Sequence, residues 1–156
     1  MKNVLITGGL GFLGSYSIEL WKKNGWNITV IDNLTTNVIQ PDHEICNDIN
    51  VIIKDILECS WENLGKYDMI VHLASPVGPA GILQHSGKIA DYILSDIYWS
   101  IEGAQKNKCP LIFVSTSEIY GHRDEVVFLG EEEDKILRGS FSVRNEYSMA
   151  KLLSEI

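Results

Sequence analysis

The run Thr7-Gly8-Gly9-Leu10-Gly11-Phe12-Leu13-Gly14 limits what this chain can fold into more than any other segment. It follows Lys2 to Thr7, a largely apolar stretch of strand length, and leads into Phe12 to Asn24, where Phe12, Leu13, Tyr16 and Leu20 recur at helical spacing. The glycines read as G-x-G-x-x-G from Gly9 or as G-x-x-G-x-x-G from Gly8, and Gly11 and Gly14 belong to both frames. A chain that must turn sharply off a strand, let a pyrophosphate approach its backbone and pack a new helix on the sheet needs residues without Cβ atoms there. The helix then presents its positive end to the phosphates. A glycine pattern alone also fits an ordinary turn, but this one sits between strand and helix, and a second strand, Asn27 to Ile31, delivers Asp32 at the expected distance. A carboxylate at Asp32 accepts hydrogen bonds from both hydroxyls of an adenosine ribose and repels a 2′-phosphate, which points to NAD rather than NADP. The competing role for Asp32 is a turn or cap residue beside Asn33 and Thr35.

The pattern continues along the chain. Val51-Ile52-Ile53 and Met69 to Leu73 are further short apolar runs, and Pro110 to Ser115 is another. Between Gln84 and Asn107 the residues Ile89, Ile93, Ile97 and Ile101 form a stripe at four-residue spacing, the clearest helix signal in the sequence. Arg123 to Ser142 reads as a polar connection containing Glu131-Glu132-Glu133-Asp134, and a last helix is expected from near Asn145. Strands alternating with helices predict an α/β fold, a doubly wound parallel sheet of Rossmann type, as one domain over residues 1–156.

Charge narrows the partners. A formal net charge of -8 repels a nucleic-acid backbone or an anionic membrane surface, so neither is an expected partner, and any phosphate must be held by backbone amides and a few side chains. Cys46, Cys59 and Cys109 are scattered and odd in number, which fits reduced thiols in the cytoplasm. Neither they nor His43, His72, His85 and His122 have metal-ligand spacing, and no metal is expected. The start of the chain is apolar too briefly for a signal sequence or a membrane span.

Tyr147 and Lys151 lie four apart on the last predicted helix, so their side chains share a face. Alone this is weak, since Lys151 also fits a solvated helix position. The strand Leu111 to Ser115, however, runs directly into Ser115-Thr116-Ser117-Glu118-Ile119-Tyr120-Gly121, and open parallel sheets carry their reactive groups at the carboxyl ends of strands. The glycine loop, Asp32-Asn33, Asp55, His72-Leu73-Ala74, Ser115 to Gly121 and Tyr147-x-x-x-Lys151 occur in the order of the extended short-chain dehydrogenases. The chain therefore resembles that family of NAD-dependent nucleotide-sugar epimerases, dehydratases and decarboxylases, and its Ser-Thr-Ser-Glu-x-Tyr-Gly form is most similar to the UDP-glucuronate decarboxylases.

What the resemblance implies is an enzyme that oxidises a nucleotide sugar transiently at C4. Tyr147 would act as base with Lys151 stabilising its phenolate, Thr116 would orient the C4 oxygen, and Glu118 would assist acid-base chemistry at the ring. The cofactor side would comprise Gly8, Gly11, Phe12, Leu13, Gly14, Asp32 and Asn33, with Asp55 and Ile56 beside the adenine, Leu73, Ala74 and Ser75 along the dinucleotide, and Tyr147 and Lys151 at its reactive end. Self-association through the Gln84 to Asn107 helix and the Tyr147 helix is expected, with Tyr98 and Trp99 exposed. Open alternatives are a 4-epimerase, a 4,6-dehydratase or a non-catalytic NAD-binding module. Two local departures stand out: Asp96-Ile97-Tyr98-Trp99-Ser100 replaces the frequent Asn-x-x-Gly-Thr, and Ser75 to Gly81 is unusual, reading equally as a sugar-proximal segment or a rigid loop. Arg144 reads as solvated rather than as an anion contact. Family members continue well past the Tyr147 helix, so these residues are expected to be the cofactor-binding half, lacking the C-terminal substrate domain, and to bind NAD without turning over a sugar unaided.

Overall fold

Five short apolar segments become the strands Asn3–Thr7 (β1), Asn27–Asp32 (β2), Asn50–Ile53 (β3), Met69–His72 (β4) and Leu111–Phe113 (β5). In the structure, a computed structural model describing residues 1–76, 78–121, 128–136 and 142–156, they pair in parallel throughout in the order β3-β2-β1-β4-β5. The order reverses between β1 and β4, and their carboxyl ends lie side by side, with Thr7 opposite His72. Such a switch point is where open α/β sheets bind ligands.

By their packing the residues form two compact units, Met1–Ser75 with Ser95–Val114, and Pro76–Leu94 with Ser115–Ile156. The first holds the sheet. Alternate strand residues face opposite ways, so Val4, Ile6, Ile28, Val30 and Val71 pack with Ile18 of helix α1 (Phe12–Lys23), whereas Leu5, Ile31 and Ile70 pack with Ile56, Trp61, Tyr67 and Trp99. Both faces being apolar is what a parallel sheet requires. The second unit holds helix α2 (Gly78–Gln84), the first residues of helix α3 (Ile89–Asn107), the 3-10 turn Ser117–Tyr120 and helix α4 (Val143–Glu155). The acidic run Glu131 to Asp134 is exposed, and Arg123 and Arg138 lie outside the described residues.

Four expectations need correction. The apolar set used to recognise α1 faces away from the sheet: Phe12, Leu13, Tyr16 and Leu20 are 64%, 54%, 63% and 59% exposed. Gly14 closes against Gly8 and Gly9, and this fixes the rotation of the helix so that Gly14, Ile18 and Trp21 face the core. The long helix starts at Ile89 rather than near Gln84, after a break at Gly87 with φ of +79°. The segment read as a possible loop from Ser75 to Gly81 already enters α2 at Gly78. Trp99, expected at the surface, is buried. Its ring lies 4.2 Å from that of Trp61, its Nε1 donates to the Cys59 carbonyl, and Trp61 Nε1 donates to the Trp99 carbonyl. The close approach usual for a glycine occurs one turn later, where a Cβ on Gly103 would fall 1.9 Å from Trp61. Tyr98 does remain exposed.

Candidate functional site

The glycine loop divides its work. A Cβ at Gly8, whose φ is +67°, would lie 2.7 Å from the Ala74 nitrogen, because the exits of β1 and β4 run against each other. At Gly14 it would lie 2.3 Å from the Gly8 oxygen, which closes α1 onto the loop. Gly11 differs: a Cβ there meets only the Gly8 oxygen, at 3.3 Å. Gly11 is also the N-cap of α1 and supplies no side-chain cap, and the amides of Phe12, Leu13 and Gly14 have no hydrogen-bond partner among the described residues. An uncapped helix start with free N–H groups and an open approach at Gly11 matches an anionic pyrophosphate in charge and in donor chemistry.

Asp32 closes the other side of this loop and is nearly buried. Its Oδ2 accepts from the Leu10 amide at 2.9 Å and its Oδ1 from the Leu34 amide at 2.8 Å, so it is a turn residue whose two oxygens each keep further accepting capacity. Asn33 donates through Nδ2 to Asp55 Oδ2 at 3.2 Å, joining the ends of β2 and β3, while Asp55 Oδ1 caps the following turn through the Leu57 amide. The Ile56 side chain lies in the core and leaves only its backbone to face a ligand.

Past β4, Leu73, Ala74 and Ser75 are half-buried. The Ala74 amide donates to Thr7 Oγ1 at 3.3 Å, and the same hydroxyl lies 2.8 Å from His72 Nδ1, which in turn is 3.1 Å from Ser100 Oγ. Thr7, His72 and Ser100 thus form a buried polar group behind the strand ends, which sequence reasoning missed. The substitution at Ser100 was visible, but nothing in its spacing paired it with His72. A hydroxyl there serves where the family pattern has threonine.

In the second unit, Thr116 caps the 3-10 turn by accepting from the Glu118 amide at 3.3 Å, and its hydroxyl lies where it favours the ionised Tyr147 phenol. α4 packs on this turn and brings Tyr147 and Lys151 in buried, 6% and 3% exposed. Burial pushes the Tyr147 phenol above its usual 10; the Thr116 hydrogen bond pulls it down and the Glu118 charge raises it. Thr116, Glu118 and Tyr147 are therefore brought together, with Lys151 one turn along. Arg144 is exposed on the first turn of α4. Glu146, unflagged by sequence, accepts from the Gly87 and Ala90 amides at 2.8 and 3.3 Å.

Among the described residues no group of histidine, cysteine, aspartate or glutamate side chains could hold a metal ion, and no helix is long and apolar enough to cross a membrane. The sequence model of the NAD dependent epimerase/dehydratase family matches residues 4–156. UDP-N-acetyl-alpha-D-glucosaminuronate decarboxylase of Bacillus cytotoxicus is 30% identical over 156 residues, 99% of this chain and 48% of that protein. UDP-glucuronic acid decarboxylase 1 of Danio rerio is 32% identical over 125 residues, 77% of this chain and 28% of that protein. Among solved structures, a UDP-N-acetylglucosamine 4-epimerase from Methanobrevibacter ruminantium M1, in complex with UDP-N-acetylmuramic acid, is similar with a TM-score of 0.78 and 27% identity, covering 99% of this chain and 48% of that one. The chain thus spans about half the length, or less, of the relatives it matches.

Proposed function

This chain belongs to the NAD dependent epimerase/dehydratase family, and on that premise we propose that it is the NAD-binding part of a nucleotide-sugar enzyme that oxidises its substrate transiently at C4, with uronate decarboxylation as the closest chemistry. The observation that carries the reading is the buried Tyr147 phenol on the helix that packs against the Thr116 turn, with buried Lys151 one helical turn away. Support for NAD itself comes from the open Gly11 approach, the free amides of α1 and the Asp32 carboxylate.

Tyr147, as phenolate, takes the proton of the C4 hydroxyl, and Thr116 holds that oxygen in line. Lys151 favours the phenolate by its charge. The bound cofactor supplies reversible uptake and return of one hydride. With C4 a ketone, the electron pair of the C5–C6 bond can pass toward the C4 oxygen as the carboxylate leaves as carbon dioxide. Glu118 then handles the proton that C5 regains. This assignment also takes a cytoplasmic location from the scattered cysteines and a homodimer through α3 and α4, where Tyr98 is exposed.

Incubation of the protein with NAD and UDP-glucuronate, UDP-N-acetylglucosaminuronate or UDP-N-acetylglucosamine, against Tyr147→Phe as the blank, tests the reading. Tyrosine-dependent carbon dioxide release marks a decarboxylase, and tyrosine-dependent inversion at C4 marks an epimerase. Bound NAD with no product from any of these sugars is the outcome expected of the cofactor-binding part unaided, and a Tyr147 titration that saturating NAD leaves unmoved would remove the catalytic proposal.

Asp32 gives a second test. Calorimetry should show NAD bound more tightly than NADP, because a 2′-phosphate beside Asp32 meets like charge. Asp32→Ala should weaken NAD by about tenfold or more, two charge-assisted contacts to the ribose being worth at least that, and erase the preference. NADP binding as tight as NAD in the unaltered protein would sink this assignment.

A further inference from the structure

Helix α3 begins without a capping side chain of its own, since Lys88 precedes Ile89 and lysine has no acceptor. The acceptors come from α4: Glu146 Oε2 takes the Gly87 amide at 2.8 Å and Oε1 takes the Ala90 amide at 3.3 Å. A carboxylate is well suited to this place, because two of its lone pairs meet N–H groups and its charge meets the positive end of α3. The next residue in the chain is Tyr147, which packs with Ile82, Ile89, Ile93 and Ala150. The apolar contacts hold the ring against α3 but are non-directional and allow α4 to slide or roll. The two hydrogen bonds of Glu146 are directional and fix its height and rotation.

We propose that Glu146 is the positioning residue for Tyr147, seating α4 on the start of α3 so that the phenol meets Thr116. The inference rests on the reading of Tyr147 as the base, but the Glu146 carboxylate acts through the Gly87 and Ala90 amides, so it can be tested without either ligand.

The test compares the protein with Glu146→Ala and Glu146→Gln, following the Tyr147 phenol by pH titration of its ring signal in NMR and the Gly87 and Ala90 amides by hydrogen exchange. In the Ala variant exchange at both amides should accelerate by roughly five- to tenfold, the usual consequence of losing a cap, and the phenol pKa should fall back toward 10, because loss of burial, the larger influence, outweighs the opposing loss of Thr116. In the Gln variant, which keeps one acceptor oxygen but sets an NH2 donor against the second amide, the phenol should move in the same direction by clearly less than in the Ala variant. Ala and Gln shifting the phenol equally would assign the effect to charge alone and overturn the proposal. So would an unchanged titration in the Ala variant. If Glu146→Ala impairs folding, adding Lys88→Asp gives α3 its own cap; the phenol should still be displaced, and its full return would show that Glu146 only stabilises α3. Failure of the protein to bind NAD would remove the functional reading and leave these outcomes intact.

Discussion

Gly14→Ala should abolish NAD binding and lower the melting temperature by roughly 10 °C or more. The added Cβ would sit 2.3 Å from the Gly8 oxygen and 2.5 Å from two backbone atoms of Gly9. All three are main chain, so no side-chain rotation relieves the contact, and α1 must lift off the loop. Overpacking at such a place costs about 3 kcal/mol or more, a large share of the 5 to 15 kcal/mol typical of a whole domain. For a chain of this length each kcal/mol moves the melting temperature by a few degrees. Gly11→Ala provides the contrast. Its Cβ meets one oxygen at 3.3 Å and no other atom, so melting should change by only about 2 °C or less while NAD affinity falls, because the methyl group occupies the approach to the free amides. Calorimetric melting and NAD titration of both variants separate the two roles. Equal melting losses would show that Gly11 is also only a packing residue.

The sheet was legible in the sequence because short apolar runs between turn residues leave few alternatives, and strand ends moved by a residue or two at most. The positions of the loop, Asp32 and the Tyr147–Lys151 pair at a strand exit, a strand end and one helix were legible because each depends on residue types at fixed spacing. What could not be read was orientation and partnership across distance. Phe12, Tyr16 and Leu20 have the spacing of a buried stripe, yet the rotation of α1 is decided by the contact of Gly14 with Gly8 and Gly9, and helical periodicity does not rank a glycine above a phenylalanine. Trp99 looked like a surface aromatic because its partner, Trp61, is 38 residues away in the chain. Glu146 was hidden for the same reason. The only trace it left was negative: a strongly periodic helix whose first turn lacks Ser, Thr, Asp or Asn at Lys88 must find its acceptor elsewhere.

Where these residues take part in turnover of a nucleotide sugar as proposed, Tyr147→Phe should reduce that turnover by about a thousandfold, within the range that a positioned general base contributes. The pH behaviour of the phenol gives this outcome its physical content. Burial holds the folded pKa above 10, with the Thr116 hydrogen bond opposing and the Glu118 charge adding. At pH 7 fewer than about one molecule in a thousand then carries a phenolate, too few for a base. Because the raised pKa means that the folded chain binds the proton more tightly than the unfolded one, the associated stability is fully present below pH 10 and is lost as pH rises through the folded pKa. The protein should therefore lose stability above pH 10 with a component that Tyr147→Phe removes. In the working complex the balance has to change. On the proposed mechanism proton and hydride leave the same C–O–H group of the sugar, so the cationic nicotinamide would come near the phenol, and its charge with that of Lys151 would favour the ionised form. Absorbance at the tyrosinate band, taken as the difference between the protein and Tyr147→Phe, should titrate above 10 without cofactor and distinctly lower with saturating NAD. A difference titration unmoved by NAD would mean that Tyr147 is a buried structural tyrosine whose hydroxyl serves only Thr116, and the role of base would pass to another group.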